Sequence, residues 1–459
     1  MIQIGIVGMG VSGITMACYL RDIWRQQNSK IKLKLYLFEK EESFHYTGPA
    51  YVTTYSSHLL NVPAKSMSPF RDDPHHFIRW SQENGYCYQE MSYACRSHYG
   101  KYLLHLKQTL VSQENIEIHW VQDEIIDYQE HTLTGKKRIY SNFHYTLFAL
   151  GNLEGHKNIQ VNLKDGHSSC YIERPWKELK KINEFSSEKI KSILLLGTGL
   201  TMSDMASYVH SLYPEAKIEA VSRHALFPTS KKKDPQGTEF VATNLAESFK
   251  LIDLVHEINV FRKRVRRPSF HDFIQQIRHH INHMWHALHQ KEQRQFLKYL
   301  WSFWNVERHR IPQTLHEEMC LLVQNKILTL KKKRVRKIND ELMSKFDLVI
   351  NCLGPTYHLS RIHSPLVQNL LLKKIIQDHP LKMGAKLNEW GTPNHLGSEN
   401  NHLFFIGNIQ IGESIESTAL PDIAEQCYKV KLYFEELLKN LESGRVGRIR
   451  DNSLQIDIC

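Results

Sequence analysis

The chain has 459 residues, 41% of them hydrophobic and 23% charged, with a formal net charge of +11. A chain of this length supports more than one domain, and its composition is that of a soluble globular protein. No apolar run reaches the roughly 18–20 residues that a membrane helix needs. The basic balance favours acidic partners: phosphorylated small molecules, nucleic acid or an anionic membrane surface. The eight cysteines (Cys18, Cys87, Cys95, Cys170, Cys320, Cys352, Cys427 and Cys459) never stand in C-x-x-C spacing. That argues against a zinc ribbon and a dithiol redox pair, and for reduced thiols. No basic n-region and apolar h-region precede the first strand, so a cytoplasmic chain is expected.

The first unit reads β-α-β. "IQIGIVGMG" is a strand, "VSGITMACYLRDIWRQQ" a helix, and "IKLKLYLFEK" a second strand with Glu39 near its end. Gly8, Gly10 and Gly13 give G-x-G-x-x-G in the context that makes the pattern informative. The first glycine permits the tight turn, the second lets a pyrophosphate approach the backbone, and the third allows helix and strand to pack closely. The helix N-terminus offers free N–H groups and a positive dipole end. Glu39 is placed to accept hydrogen bonds from ribose hydroxyls. The unit is a dinucleotide site, and its position at the start of the chain favours FAD.

Next comes "TGPAYVTTYSSHLLNVPAKSMSPFRDDPHHFIRW", Thr47 to Trp80. It is loop-rich yet too apolar for a linker, so it is expected to line a site. "CRSHYGKYLLHL" reads as a helix start and "YTLFALGN" as a strand ending at Gly151. "CYIERPWKEL" reads as the crossing into a second domain.

"ILLLGTGLTMSD" repeats the strand, turn and helix. Gly197 and Gly199 make the turn, Thr201 falls in the helix start, and Met202 replaces the third glycine. The following strand, "KIEAVSRH", ends in Ser222, Arg223 and His224 rather than in an acid. Arg223 is suited to a 2′-phosphate that a carboxylate would repel, so NADPH is preferred over NADH. The two turns thus predict two nucleotides, one delivering a hydride and one receiving it.

Three basic runs follow: "SKKKDP", "RKRVRRP" and "KKKRVRK". They lack interleaved base-reading residues and are read as solvated surface; nucleic acid is not expected, and contact with an anionic surface stays open. Residues 241–330 are helical in pattern, with aromatic residues at helical spacing that are expected to be core. His279, His283 and His286 share a helical face, but no acid completes a ligand motif, so no metal is predicted. "DLVINCLGP" is a buried strand with Gly354 at its end. "HLFFIGNIQIGESIESTALPDIAEQ" gives a strand, Gly407, a loop and a helix whose N-terminus is suited to negative charge on a reduced flavin.

These segments together resemble an uncharacterised FAD/NAD(P)-binding protein family, the YdhS-like group, related to class B flavin monooxygenases. The stretches that carry the resemblance are "GIVGMGVSG", the Gly48–Trp80 loop, "YGKYLLHL", "LLLGTGLTMSD", "SRHALFP", "FWNVERHRIP", "NCLGP" and "ESTALPDI". The resemblance implies an α/β fold with two Rossmann-like, three-layer dinucleotide-binding domains. A discontinuous FAD domain, 1–180 and 340–459, would enclose an NAD(P) domain, 181–339, bearing a helical insertion at about 241–330. By the same resemblance Gly8, Gly10, Val11, Ser12, Gly13 and Glu39 bind the FAD pyrophosphate and adenosine. His58, Leu60, Asn61 and Met67 lie near the isoalloxazine, with Asn61 facing flavin and nicotinamide. Gly407, Ser417, Thr418 and Ala419 close over the flavin's pyrimidine edge. His309 and Arg310 reach the substrate cavity. The chain departs from the family in its lysine and histidine content and in the charge of "SKKKDP".

The expected activity is an FAD-dependent, NADPH-using monooxygenase, an N- or C-hydroxylase of a small molecule that consumes O₂. One alternative is a flavin-dependent reductase or dehydrogenase without oxygenation. The other is an FAD-stabilised binding or effector protein with a basic surface.

Overall fold

The structure, a computed structural model, describes residues 1–27, 29–155, 159–164, 168–230, 250–264, 274, 277–396 and 402–443. Its strands in chain order are β1 (Ile2–Val7), β2 (Leu33–Glu39), β3 (Ile116–Gln122), β4 (Ile125–Gln129), β5 (Thr132–Gly135), β6 (Ile139–Tyr140), β7 (Tyr145–Phe148), β8 (Gln160–Asn162), β9 (Tyr171–Ile172), β10 (Ser192–Leu196), β11 (Lys217–Ser222), β12 (Leu328–Lys332), β13 (Lys337–Asn339), β14 (Leu348–Asn351) and β15 (Leu403–Phe405). Two five-stranded parallel sheets carry the architecture, β15-β7-β1-β2-β3 and β12-β11-β10-β14-β9. Their central strands, IQIGIV and SILLL, are nearly continuous apolar runs, as sheets covered on both faces require.

On one face of the first sheet the Val11–Gln26 helix packs with the Leu420–Glu442 helix that closes the described chain. Ile4, Ile6, Ile14, Leu20, Phe404 and Phe434 form that core. The other face is covered by the antiparallel β4-β5-β6 meander, through Val7, Phe38, Leu133 and Phe143. In the second sheet the Leu200–Leu212 and Gln313–Gln324 helices bury Met202, Met205, Leu315 and Met319 against Ile193 and Leu195. Both units are three-layer α/β, the fold class expected from the sequence.

The strand assignment corrects the domain bounds. β9 and β14 belong to the second sheet, although they lie inside the stretches 1–180 and 340–459 given to the first domain. β14 pairs with β10 in parallel from Ile193↔Leu348 to Leu196↔Asn351, so both units draw their strands from separated stretches. The helical region also divides. The Gln313–Gln324 helix is the crossover leading to β12 and packs on the sheet. A separate helical body holds the helices Leu251–Arg264, Ile281–Ala287, Gln290–Gln295 and Trp301–Arg308; residues 241–249 lie outside the described ones.

The aromatic stripes of that body are core. Phe296 stands 5.9 Å from Trp285 and 5.5 Å from Trp304 between ring centroids, and all three are buried. An apolar cavity of about 30 Å³ lies among them. Trp285 donates its indole N–H to the Gly412 carbonyl at 2.8 Å, which docks the helical body on the segment after β15.

Candidate dinucleotide-binding site

The two glycine turns are built alike. Gly8 has φ +97°, and a Cβ there would lie 2.4 Å from the Ala149 carbonyl oxygen, beyond the end of β7. Gly197 has φ +106°, and its Cβ would lie 2.7 Å from the Cys352 carbonyl oxygen, beyond the end of β14. Each first glycine is therefore demanded by backbone conformation and by a neighbouring strand. At Gly10 and Gly199 the opposite holds: a Cβ would meet nothing within 4 Å. Each of these glycines caps its helix with extended backbone, no side chain caps either helix, and neither first turn holds an acid. The first intrahelical bonds reach back to the Gly10 and Gly199 carbonyls, leaving the preceding amides without helical partners. Open space, free amides and a positive helix end coincide twice, each time at the carboxyl edge of a parallel sheet where its strand order reverses.

The third position differs. A Cβ at Gly13 would lie 1.9 Å from the Gly8 carbonyl oxygen, whereas Met202 is fully buried in the core of the second unit. The second turn thus leaves room for a side chain that the first excludes.

Around the first turn, Glu39 accepts from the Met9 amide at 3.1 Å and from the Lys40 and Glu41 amides at 2.9 and 3.2 Å. These bonds aim the acid at the turn. Gly407, φ +96°, comes opposite Ser12: its Cβ position is 3.8 Å from the serine Oγ. Val11 and Ser12 are buried, while Gly151, φ +64°, is exposed. The structure therefore brings together Gly8, Gly10, Ser12, Gly13, Glu39 and Gly407.

Around the second turn, Ser222 is already committed. Its Oγ accepts from the Ala225 amide at 2.9 Å and bonds Thr198 Oγ1 at 2.8 Å, tying the 222–226 loop to the turn. It anchors the loop that follows β11. Thr201 is half-buried in the helix start, and Gly354, φ +75°, has open space at its Cβ. Arg223 is exposed and, among the described residues, bonds Ser302 Oγ at 3.4 Å. Beside it β12 ends: Lys332 is the register partner of Ser222, and the Lys333 amide donates to the Ser222 carbonyl at 2.9 Å. The exposed run Lys331–Lys337 thus starts next to Arg223. The other two basic runs fall wholly or largely outside the described residues and side chains.

Between the units lies the 47–80 segment. The Leu60 amide donates to the Ala94 carbonyl at 2.8 Å, and Leu60 and Met67 are buried. Asn61 is half-buried, and its side-chain amide makes no hydrogen bond among the described residues, including the Asx-turn that Pro63 would suggest. His58 is wholly enclosed by protein. Its Nδ1 bonds Thr53 Oγ1 at 2.7 Å, and its ring packs on Tyr55, Trp176 and Tyr208 at 4.9–5.2 Å. Burial first, and then the Arg96 charge, lower its pKa to about 4, so it is neutral at pH 7. Its contacts join the two units, and its Nε2 is buried without a hydrogen-bond partner among the described residues.

Of the "ERHRIP" residues, Arg308 stands beside the expected His309 and Arg310 and makes a buried ion pair. As the last residue of its helix, Arg308 pairs with Glu416 at 2.7 Å, both side chains at most 7% exposed. It also donates to Thr418 Oγ1 at 3.2 Å and lies 4.0 Å from Asp422. Burial pushes the Glu416 carboxyl up, and Arg308 opposes that shift. Arg310 pairs with Glu307 at 2.5 Å, and burial pushes the His309 imidazole well below its usual range. Ser417 is fully buried with an unpartnered Oγ, next to Thr418 and the helix-capping Ala419. That helix start is not a plain positive end: Pro421 has no N–H, and the Asp422 carboxylate sits in the first turn and takes the Ala419 amide at 3.1 Å. Arg308 is the cation that faces the two carboxylates there, Glu416 and Asp422.

Charge partnership is a tertiary property, so Arg308, Glu416, Arg96 and Asp204 had no local signature. Among the described residues no His, Cys, Asp and Glu group is suited to hold a metal ion; the His279 side chain lies outside them.

Residues 5–142 match a family model described as FAD-NAD(P)-binding. No curated protein matches the chain. Among solved structures it is similar to the reduced form of ornithine hydroxylase (PvdA) from Pseudomonas aeruginosa, at 15% identity over 95% of this chain and 99% of that one, with a TM-score of 0.56. It is similar to ornithine N-hydroxylase (KtzI) from Kutzneria sp. 744, solved with reduced FAD, NADP+ and L-ornithine, at 11% identity over 95% and 99% and a TM-score of 0.56. L-lysine 6-monooxygenase from Pseudomonas syringae gives 12% identity, the same coverage and the same TM-score. At such identities the likeness is one of fold. No described helix is long and apolar enough to cross a membrane.

Proposed function

We propose that the chain is an FAD-dependent, NADPH-using oxidoreductase of the monooxygenase type, acting on a small amine in the cytoplasm. The observation that carries the reading is the paired construction of the turns, each sealed at its first glycine and open at its second. The residues present fit two dinucleotides.

Bound FAD would supply two-electron redox chemistry and, in its reduced state, reactivity toward O₂. The chain's own residues bind, orient and exclude water. Gly10 leaves space for a pyrophosphate, and the amides of Val11 and Ser12 donate to it. Glu39, held by three backbone amides, offers its remaining acceptor capacity to ribose hydroxyls. Gly199 and the amides after it receive the second pyrophosphate, while Arg223, with Lys332 and Lys333 beside it, suits a 2′-phosphate. Asn61 has a half-buried carboxamide without a hydrogen bond to the described residues, available to orient a ring. Arg308, paired with Glu416 and bonded to Thr418, fixes the segment Glu416–Ala419 in place.

Amine hydroxylation is favoured by the fold shared over nearly the full length with ornithine and lysine hydroxylases. The finer placement in the YdhS-like group rests on the quoted stretches. The purified protein should be yellow, and should oxidise NADPH faster than NADH, with O₂ consumption stimulated by one member of an amine panel that includes ornithine, lysine and cadaverine. A colourless protein that flavin cannot reconstitute sinks the proposal. NADPH oxidation that yields peroxide with every amine and no hydroxylated product favours the reductase alternative.

A further inference from the structure

Arg96 opens the Arg96–Gln108 helix of the first unit, and Asp204 stands in the second turn of the Leu200–Leu212 helix that begins at Gly199. Their side chains meet at 2.9 Å, 12% and 5% exposed. Around Asp204 the same helix presents Met202, Met205 and Ala206 to an apolar core, so packing alone places no demand for a carboxylate here. A buried ion pair adds little stability over an apolar pair of similar volume.

What the pair does add is a directional link between elements of both units. The Arg96 guanidinium lies 4.8 Å from the ring centroid of Trp176, which sits in the crossing segment. The Arg96 amide donates to the His58 carbonyl at 2.9 Å, and the His58 ring packs on Trp176 and on Tyr208 of the Leu200–Leu212 helix. Two residues on, the Leu60 amide is held by Ala94, which fixes the stretch carrying Asn61. One joint therefore grips the Asn61 stretch on one side and the second nucleotide turn on the other.

We propose that the Arg96–Asp204 pair, seated on Trp176 and His58, is a positioning latch that sets the second nucleotide turn against Asn61 and the first turn. It governs the rate of hydride transfer rather than nucleotide affinity. The proposal rests on the oxidoreductase reading above. In the step concerned, the C–H bond of the dihydronicotinamide breaks and its hydride passes to the flavin. NADPH leaves as NADP+, and the flavin, reduced by two electrons, also takes a proton from solvent. The affinity determinants, the Gly199 turn and Arg223, are outside the latch. Transfer, by contrast, needs reacting atoms about 3–3.5 Å apart, and a misplacement of about 1 Å costs on the order of 10²-fold.

The test uses the full-length holoprotein and two variants. Arg96→Lys keeps the charge but loses the planar seat on Trp176. Arg96→Met with Asp204→Asn removes both charges and keeps both side chains close to their original size. For each, bound flavin, the KM for NADPH and the anaerobic rate of flavin reduction are measured, together with amide exchange over residues 53–61 and 200–208. The expected result is an unchanged flavin content, a KM within about threefold and a reduction rate at least tenfold lower, with faster exchange in both segments. A reduction rate within twofold of the parent in either folded variant overturns the latch. So does a rise in KM at constant rate. Should the double variant fail to fold, Arg96→Lys decides alone. A parent protein without flavin or NADPH oxidation sinks the oxidoreductase reading instead, and unchanged exchange in the variants then overturns the latch separately.

Discussion

Alanine at Gly10 and at Gly13 should have opposite consequences, although the two glycines are three residues apart. At Gly13 the new methyl would stand 1.9 Å from the Gly8 carbonyl oxygen, a backbone atom with no room to yield. The turn must open, and the helix lifts from the sheet; such overpacking costs about 1–3 kcal/mol or more. At Gly10 the methyl enters open space, and φ −79° with ψ −163° is comfortable for alanine. Stability should change by less than about 1 kcal/mol, the ordinary cost of alanine at a helix N-cap. The methyl does occupy the space that a pyrophosphate needs. Hydrogen bonds to a charged group contribute about 1.5–3 kcal/mol each, so losing two weakens FAD by about 3–6 kcal/mol, on the order of 10²–10⁴-fold in Kd. Thermal unfolding of the apo-proteins and flavin titration of each variant separate the two effects. Gly10→Ala binding FAD as tightly as the parent would refute the assignment of that space. Equal loss of apo stability in both variants would refute the steric argument.

Arg223→Ala should raise the KM for NADPH by about 10-fold or more, the equivalent of one charge-assisted hydrogen bond, and leave NADH nearly unaffected; steady-state kinetics with both nucleotides check this. Arg308→Leu should destabilise the fold by about 3–5 kcal/mol, because it leaves the buried Glu416 carboxylate without its cation, whereas Arg308→Leu with Glu416→Leu should recover most of the loss in urea unfolding. Acidification should destabilise the protein through His58. Its folded pKa of about 4 lies below the unfolded 6.5, so the unfolded chain takes the proton first. Its contribution is intact above pH 6.5 and is lost as pH falls toward 4, by at most about 3 kcal/mol. His58→Gln should flatten the stability profile in that window, and an unchanged slope would count against a neutral buried imidazole.

Much of the fold was readable because its signals are local. The β1–helix–β2 unit, the end of β2 at Glu39 and the strand before Gly197 all follow from apolar runs broken by glycines with defined spacing. The aromatic stripes around Trp285, Phe296 and Trp304 were read as core for the same reason. The β4-β5-β6 meander escaped notice, since its short strands carry weak alternation and are held by the sheet they cover. That Ser222 also anchors its loop escaped notice, because nothing local reveals that Thr198 comes to meet it.

The sequence alone determined where the chain must bend tightly and leave backbone amides exposed: a glycine's missing Cβ is a property of the residue itself, and it dictates the turn before anything else folds. Which residues share a charge, and which strands share a sheet, only the tertiary structure decided. Arg96 meets Asp204 across 108 positions, Arg308 meets Glu416, and β14 joins β10, because burial of the apolar faces brings these segments together. An ion pair or a strand register is a relation between distant parts of the chain, and local periodicity carries no record of it.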